Sequence, residues 1–384
     1  MKIDKVNVYK ISLPFTGDFS ISRKKGSSAN NIVVEVIADQ GVIRGYGEGA
    51  PVEFITGETP ESAVRSVSYF IQKNTFPWEL NDVSQIWGFV DIFPNNKEHN
   101  SAICALEMSL LDALGKSQNK SITDYFPKDF YTSTIYYGAT IPLANKHRIM
   151  EICKISKKMK INALRIKMGK DFEQNKDAIE TVRLVFGDDC DIKIDPNCAW
   201  DRDLAFKHIP LIKEYNVKIV EEPMMKDSPN FGEFVKIMEA DGIILMACES
   251  APTSEDVERI IRERYYKMIN VKLSRNGGFR RSLRVIERIR SSELSFQIGC
   301  GLGESGILSA AGRALSLLCN DAVYYDGSYD RFMLKENITT QDVSFGPGGK
   351  AGPLDGSGLG VEINRESLMR LSDGSPSVTI LNPL

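Results

Sequence analysis

Histidine is scarce in this chain. Its 384 residues include three, His99, His147 and His208, so any chemistry that needs an imidazole must use one of these. A basic excess is also missing. Lys+Arg is 48 and Asp+Glu is 51, for a net charge of -3, which weighs against a nucleic-acid partner. No apolar run approaches the ~18 residues of a membrane span. The N-terminus, MKIDKVNVYKISLPF, alternates like a strand and lacks the apolar core of a signal peptide. The seven cysteines are scattered and form no CxxC pair. That excludes a disulfide framework as the organising device, and a reducing cytoplasm is the expected location. Between strand and helix there is no G-x-G-x-x-G, so nothing supports a dinucleotide-binding sheet.

What is present is ordinary globular composition, 42% hydrophobic and 26% charged, with an abrupt change of texture. Residues 1–50 read as strands: NIVVEVIADQGVIRGYGEGAP is a β-branched run, a turn at Asp39–Gly41 and a second strand. Helical spacing takes over from Glu61 to about Lys120. From about residue 132, short apolar runs alternate with charge-rich amphipathic stretches. Strands are expected at 133–140, 163–168, 191–195, 217–222, 243–248, 268–273, 294–299 and 322–326, with helices such as 174–186, 203–215, 254–264 and 278–290 between them. Polar residues at the strand ends, Lys167, Asp195, Glu221, Cys248, Lys272 and then Gly299, recur every 24 to 28 residues. A βα repeat of near-constant length favours a closed barrel over an open sheet, with its site at the C-terminal strand ends. The tail, from about 341, is turn-rich and then strand-like at GVEIN; it is expected to fold back onto the first module.

The strand ends carry the chemistry. Arg165 and Lys167 lie two apart and so share a face. Asp195 and Asn197, Glu221–Glu222–Pro223, Cys248–Glu249, and Lys272 with Arg275 follow in turn. A lone lysine or aspartate at such a place is most often a solvated loop residue or a turn former. Acids on successive strand ends, bracketed by two lysines, are hard to obtain by accident. Hard oxygen ligands flanked by amines suit Mg²⁺ rather than Zn²⁺.

These motifs resemble those of the enolase superfamily, in its muconate-lactonizing and dipeptide-epimerase subgroup. GYGEGAP and ITGETPES resemble capping-domain segments, and LDALGK the helix joining cap to barrel. RIKMG resembles the K-x-K motif, DPNCAW the D-x-N motif, VEEP and MACES the next two acidic motifs, and NVKLSRNGG the second-lysine motif. GESGILSAAGR and GSGLGVEIN resemble later segments. The resemblance implies an α/β fold: a modified TIM barrel, (β/α)7β, over 126–340, with an α+β capping domain made by 1–125 and the returning segment 341–384. It implies one Mg²⁺ and a small-molecule carboxylate substrate, whose α-proton is removed to give an enediolate. By position, Lys167 and Lys272 would be the acid/base pair, with Arg165 helping to lower a lysine pKa. Asp195 and Glu221 would be metal ligands. A homo-oligomer is the family habit. None of the three histidines falls at a late strand end, which leaves the lysine–lysine subgroup.

Three departures stand out. Arg165 replaces the first lysine of K-x-K; it stays protonated and can supply charge but not act as a base. Cys248 stands where a third ligating Asp is usual, and a thiol is a poor Mg²⁺ ligand, so Glu249 is taken as the third ligand. Tyr324–Tyr325–Asp326 keeps only the second acid of the Asp-x-Asp that receives a dipeptide's ammonium. A dipeptide, an N-acyl or N-alkyl amino acid, or another carboxylic acid all remain open. Arg165, Asn197, Cys248 and Asp326 are expected to touch substrate, as are Arg23 in the Gly/Ser-rich loop 20–31 and Ile55 in PVEFITGE. Racemisation or epimerisation leads. Cycloisomerisation or syn-dehydration from the same intermediate is the alternative, and a metal-poor, non-catalytic homologue is the third.

Overall fold

The computed structural model describes residues 1–21, 24–73, 75–94 and 96–383. Two sheets carry the architecture. An antiparallel sheet is ordered Val378–Leu381, Ile3–Ile21, Lys24–Ala38, Ile43–Gly49. The tail therefore pairs with the first strand. The β-branched stretch Ile32–Ala38 is buried throughout, and Asp39 and Gln40 reverse the chain in left-handed conformations ahead of Gly41. Gly45, Gly47 and Gly49 alternate along the third strand. A Cβ at any of them would collide with a carbonyl oxygen of the helix Asn100–Gln118, at Ser109, Ala105 and Ser101 respectively. The alternating glycines thus let that helix lie directly on the strand backbone.

The second sheet is the barrel. Its eight parallel strands are Ala139–Ile141, Ala163–Lys167, Asp191–Asp195, Ile219–Glu221, Ile244–Ala247, Met268–Val271, Ser295–Ile298 and Tyr324–Tyr325. The ring closes where Tyr137 bridges Tyr325 in parallel and the Gly138 amide donates to the Tyr325 carbonyl. Seven helices follow the first seven strands: Lys146–Lys158, Phe172–Phe186, Arg202–Glu214, Phe231–Ala240, Ser254–Glu263, Phe279–Arg290 and Gly306–Leu317. The last strand leads only to a single turn, Asp330–Met333. This is the expected (β/α)7β order. Five of the helices begin at a capping side chain, Asn145, Asp171, Asp201, Thr253 or Ser305; those capped by Asp171, Asp201 and Thr253 start within two residues of the expected 174, 203 and 254.

Two expectations need correction. The run 133–140 is not one strand. Ile135–Tyr136 pairs instead with Lys350–Ala351, and the barrel strand begins at Ala139. GVEIN forms no strand; it gives one bridge, Ile363 to Thr339, because Gly358 and Gly360 turn the chain in left-handed conformations. No helix among the described residues is long and apolar enough to cross a membrane.

Buried carboxylates join the two sheets. Glu48 faces away from the glycine side of its strand and accepts from the Ser305 hydroxyl (2.6 Å), the Ser305 and Leu308 amides (both 3.0 Å) and Asn31 (2.7 Å). It thereby caps the seventh barrel helix. Glu107 does the same for the sixth, accepting from the Phe279 and Arg280 amides at 2.5 and 3.0 Å. Removing such an acceptor leaves several buried donors unpaired. Glu48→Ala should therefore lower stability by about 3 kcal/mol, read as a lower urea midpoint; an unchanged midpoint would show that the contact carries no weight.

Candidate active site

Barrel geometry places the charged side chains. Lys167, Asp195 and Glu221 end strands two, three and four; Cys248 and Glu249 follow strand five and Lys272 follows strand six. Strands two and six are four apart in a ring of eight, so the two lysines stand across the mouth from each other with the acids on the arc between. Left-handed, non-glycine backbone clusters here too, at Asn197, Cys198 and Glu222, as it often does where strain serves a site. Below the mouth lies a buried polar layer of Arg165, Lys193, Glu221, Asn270, Gln297 and Asp326, and then an apolar floor of Ile219, Met246 and Met268.

The contacts are specific. The Lys167 ammonium donates to Asp195 Oδ2 at 2.5 Å and to Asn197 Oδ1 at 3.0 Å. Asn197 donates its amide hydrogen to Glu249 Oε1 at 2.8 Å and its backbone N–H to Asp195 Oδ1 at 3.0 Å. Asn270 donates to Glu221 Oε1 at 2.8 Å. The other oxygens, Glu221 Oε2 and Glu249 Oε2, are buried without a hydrogen-bond partner. Arg165 lies 3.8 Å from Glu221 and 3.5 Å from Asp326. Arg275 donates to the Cys248 sulfur at 3.0 Å and to the Asn270 carbonyl.

Electrostatics follow from this layout. Burial acts to raise Glu221, but Arg165, Lys272 and Lys167 outweigh it and hold its carboxyl below the ordinary range. Burial and the facing Glu221 push Asp195 up. Burial also pushes Cys248 well above the usual thiol value, so it is a neutral thiol near pH 7. The expectation that a lysine is drawn toward neutrality fails at Lys272. Burial lowers it, but the facing Cys248 and Glu221 more than compensate.

Several site expectations change. Among the described residues, the one group of three potential ligands whose donor atoms lie within 4.8 Å of one another is Cys198, Glu222 and Glu249, not Asp195, Glu221 and Glu249. Lys167 draws Asp195 to itself, and Asn197 draws Glu249 sideways. Glu222 in turn is saturated. It accepts from the Cys248 and Ser250 amides (2.6 and 2.7 Å), the Ser250 hydroxyl, Tyr266 and the Cys198 thiol. It braces the strand ends, and the only hint in the sequence was the doubled acid. Asp326 is not free to meet an ammonium; Lys193 (3.2 Å) and Gln297 (3.0 Å) hold it, and it is 2% exposed. Cys248 sits beneath the wall against Arg275. Arg23 lies outside the described residues. Lys193 went unnoticed in the sequence, although its spacing two before Asp195 puts it on the same inward face. The histidines pack elsewhere: His99 meets Ser66, His147 is exposed beside Glu151, and His208 is stacked on Trp200.

A cavity of about 650 Å³ opens over this mouth, lined by Arg165, Lys167, Asn197, Glu249 and Lys272 from the barrel and by Asn31, Val52 and Ile55 from the antiparallel module. That volume is in the range of small-molecule sites. Glu304, just past strand seven, also faces it.

Residues 150–367 match the family model described as enolase C-terminal domain-like. The chain belongs to that family. It is 24% identical over 379 residues to the hydrophobic dipeptide epimerase of Enterococcus faecalis, covering 98% of each chain. It is 27% identical over 329 residues to the D-Ala-D/L-Ala epimerase of Cytophaga hutchinsonii, covering 85% of this chain and 86% of that protein. A crystal structure of the dipeptide epimerase from that organism, complexed with Mg and D-Ala-L-Val, superposes with a TM-score of 0.82 at 24% identity over the whole of both chains. The N-succinyl Arg/Lys racemase from Bacillus cereus superposes with a TM-score of 0.84 at 22% identity, again over both whole chains. These similarities bear out the modified barrel with a separate capping sheet.

Burial pushes the Glu304 carboxyl from 4.5 up to about 8. A carboxyl raised on folding stabilises the fold fully below its unfolded value, and this contribution is lost as pH rises through the folded one. Glu304→Gln is neutral at every pH. Its melting temperature should match the wild type near pH 4.5, then exceed it by a margin that grows to about pH 8 and levels off. A margin independent of pH would contradict the assignment.

Proposed function

We propose that this enzyme is an isomerase that removes and returns the proton α to a carboxylate, racemising or epimerising an amino-acid derivative or dipeptide. The observation that carries this reading is the pair of lysines on strands two and six, opposite one another and on the wall of one cavity. Inverting a carbon centre needs a proton acceptor on one face and a donor on the other. The relatives named as epimerases and racemases support the same class.

The roles follow from position. One lysine, Lys167 or Lys272, takes the α-proton, and the other delivers a proton to the opposite face. Arg165 and Arg275 stay protonated and hold positive charge around the developing enediolate. Asn197 fixes the Lys167 ammonium. Ile55 and Val52 close the cavity against water. The two buried oxygens without a hydrogen-bond partner, on Glu221 and Glu249, fit a hard divalent cation. With Asp195, they would hold Mg²⁺, which supplies positive charge opposite the second charge of the enediolate and favours a neutral lysine.

Two tests follow. In D₂O, wild type should exchange the α-proton of both antipodes of a substrate. Lys167→Ala should lose exchange from one antipode and Lys272→Ala from the other, each by about 10³-fold, followed by proton NMR. Exchange untouched by one of these changes would favour elimination or cycloisomerisation, where one face suffices. For the cation, Cys248→Asp adds a fourth acid beside Glu249. It should tighten Mg²⁺ binding about tenfold in a calorimetric titration, whereas equal affinities would place Cys248 outside the cation's surroundings.

A further inference from the structure

The cavity is lopsided in charge and in polarity. Its charged lining residues are Arg148, Arg165, Lys167, Lys272 and Arg275 against Glu249 and Glu304, and burial keeps Glu304 largely protonated near neutrality. Glu249 accepts from Asn197 with one oxygen, and its other oxygen is the one assigned above to the divalent cation. On the last barrel strand Asp326 is spent on Lys193, Gln297 and Arg165, and Tyr324, two residues before it, sends its hydroxyl to Asp191 instead (2.9 Å). A cationic ammonium brought into this field would meet like charge and find no free carboxylate at the strand-eight position.

Away from the lysines the cavity is mainly apolar; the charged side chain there, Arg148, is on the first barrel helix and is answered by Glu151 at 3.1 Å. Past Thr140 and Pro142 it runs between the first barrel helix and the segment after strand eight, along Leu143, Ile152, Ile155, Met159, Phe332 and Phe345. Ile155 is 55% and Phe332 46% exposed at its outer part. Large apolar side chains left open to water along one branch of a pocket mark where a ligand's apolar part lies.

We propose that the substrate is an amino acid whose nitrogen is acylated, not free, and that its acyl group is an uncharged aliphatic chain lying in the Leu143–Phe345 branch. The α-carboxylate then meets the cations at the mouth, the amide nitrogen carries no charge into the basic field, and the chain covers the exposed apolar wall. This inference rests on the proton-transfer reading for its chemistry but not for its binding.

The test separates the two. α-Deuterium exchange and calorimetric binding are measured with N-acetyl-, N-butanoyl-, N-hexanoyl- and N-octanoyl-L-alanine and with the free-amine dipeptides L-Ala-L-Ala and L-Ala-L-Leu. Exchange efficiency should rise about threefold per added methylene over the first several carbons, and the dipeptides should be at least tenfold poorer than the octanoyl compound. Ile155→Asp, at a half-exposed position that tolerates a polar residue, should flatten the chain-length dependence. Binding that tightens with chain length without any exchange would support the substrate class and overturn the proton-transfer reading. Dipeptides exchanging as well as or better than the octanoyl compound would overturn the substrate class and leave the reaction standing. Affinity and exchange both indifferent to chain length would overturn it too.

Discussion

Compensation of buried charge is the constraint on which this molecule depends. Arg165, Lys193, Asp195, Glu221 and Asp326 are all buried inside one barrel, where an isolated charge would cost several kcal/mol. None is isolated. Lys193 answers Asp326, Arg165 stands between Asp326 and Glu221, and Lys167 answers Asp195. The parallel ring makes this possible because period-two alternation turns every second side chain inward, and residues from alternate strands stack in successive layers. The mouth is the top layer of a stack that is already electrostatically satisfied below. At that top layer one oxygen each of Glu221 and Glu249 has no hydrogen-bond partner, and Lys167 and Lys272 line the cavity above.

Much of the fold was legible because it follows from local chemistry. The barrel strands show themselves as short apolar runs at near-constant spacing, and the helices as caps followed by amphipathic repeats. Each property is written into a few adjacent residues. Where the reading failed, the cause lay far off in sequence. Gly358 and Gly360 deny GVEIN its strand, and the Tyr136–Lys350 pairing cuts short the first barrel run. Neither partner can be identified from its neighbours.

The candidate site divides in the same way. Lys167, Asn197, Glu249 and Lys272 reach the cavity because their places at or just past barrel-strand ends determine where they point, while Ile55 reaches it from the helix Glu53–Thr56 of the antiparallel module. Asp326 shares such a position yet is consumed, since Lys193 arrives from a strand more than a hundred residues away in sequence. Glu221 and Glu222 are neighbours with opposite duties. The left-handed turn at Glu222 sends it to the backbone amides of the next strand's exit, while Glu221 stays inside.

One contact has a consequence for selectivity. Ala50 both donates to and accepts from the Ser274 side chain (2.8 and 3.3 Å), two residues past Lys272, and Glu48 next to it grips the seventh barrel helix. Ala50, Pro51 and Val52 are therefore docked on the same loop as a lysine of the mouth. On that flank the cavity has a fixed wall at a fixed distance from the ammonium, acting as a gauge stop that meters length from the reacting carbon. Adaptation to bulkier ligands would have to come from the opposite flank, where the helix Lys146–Lys158 carries half-open aliphatic side chains.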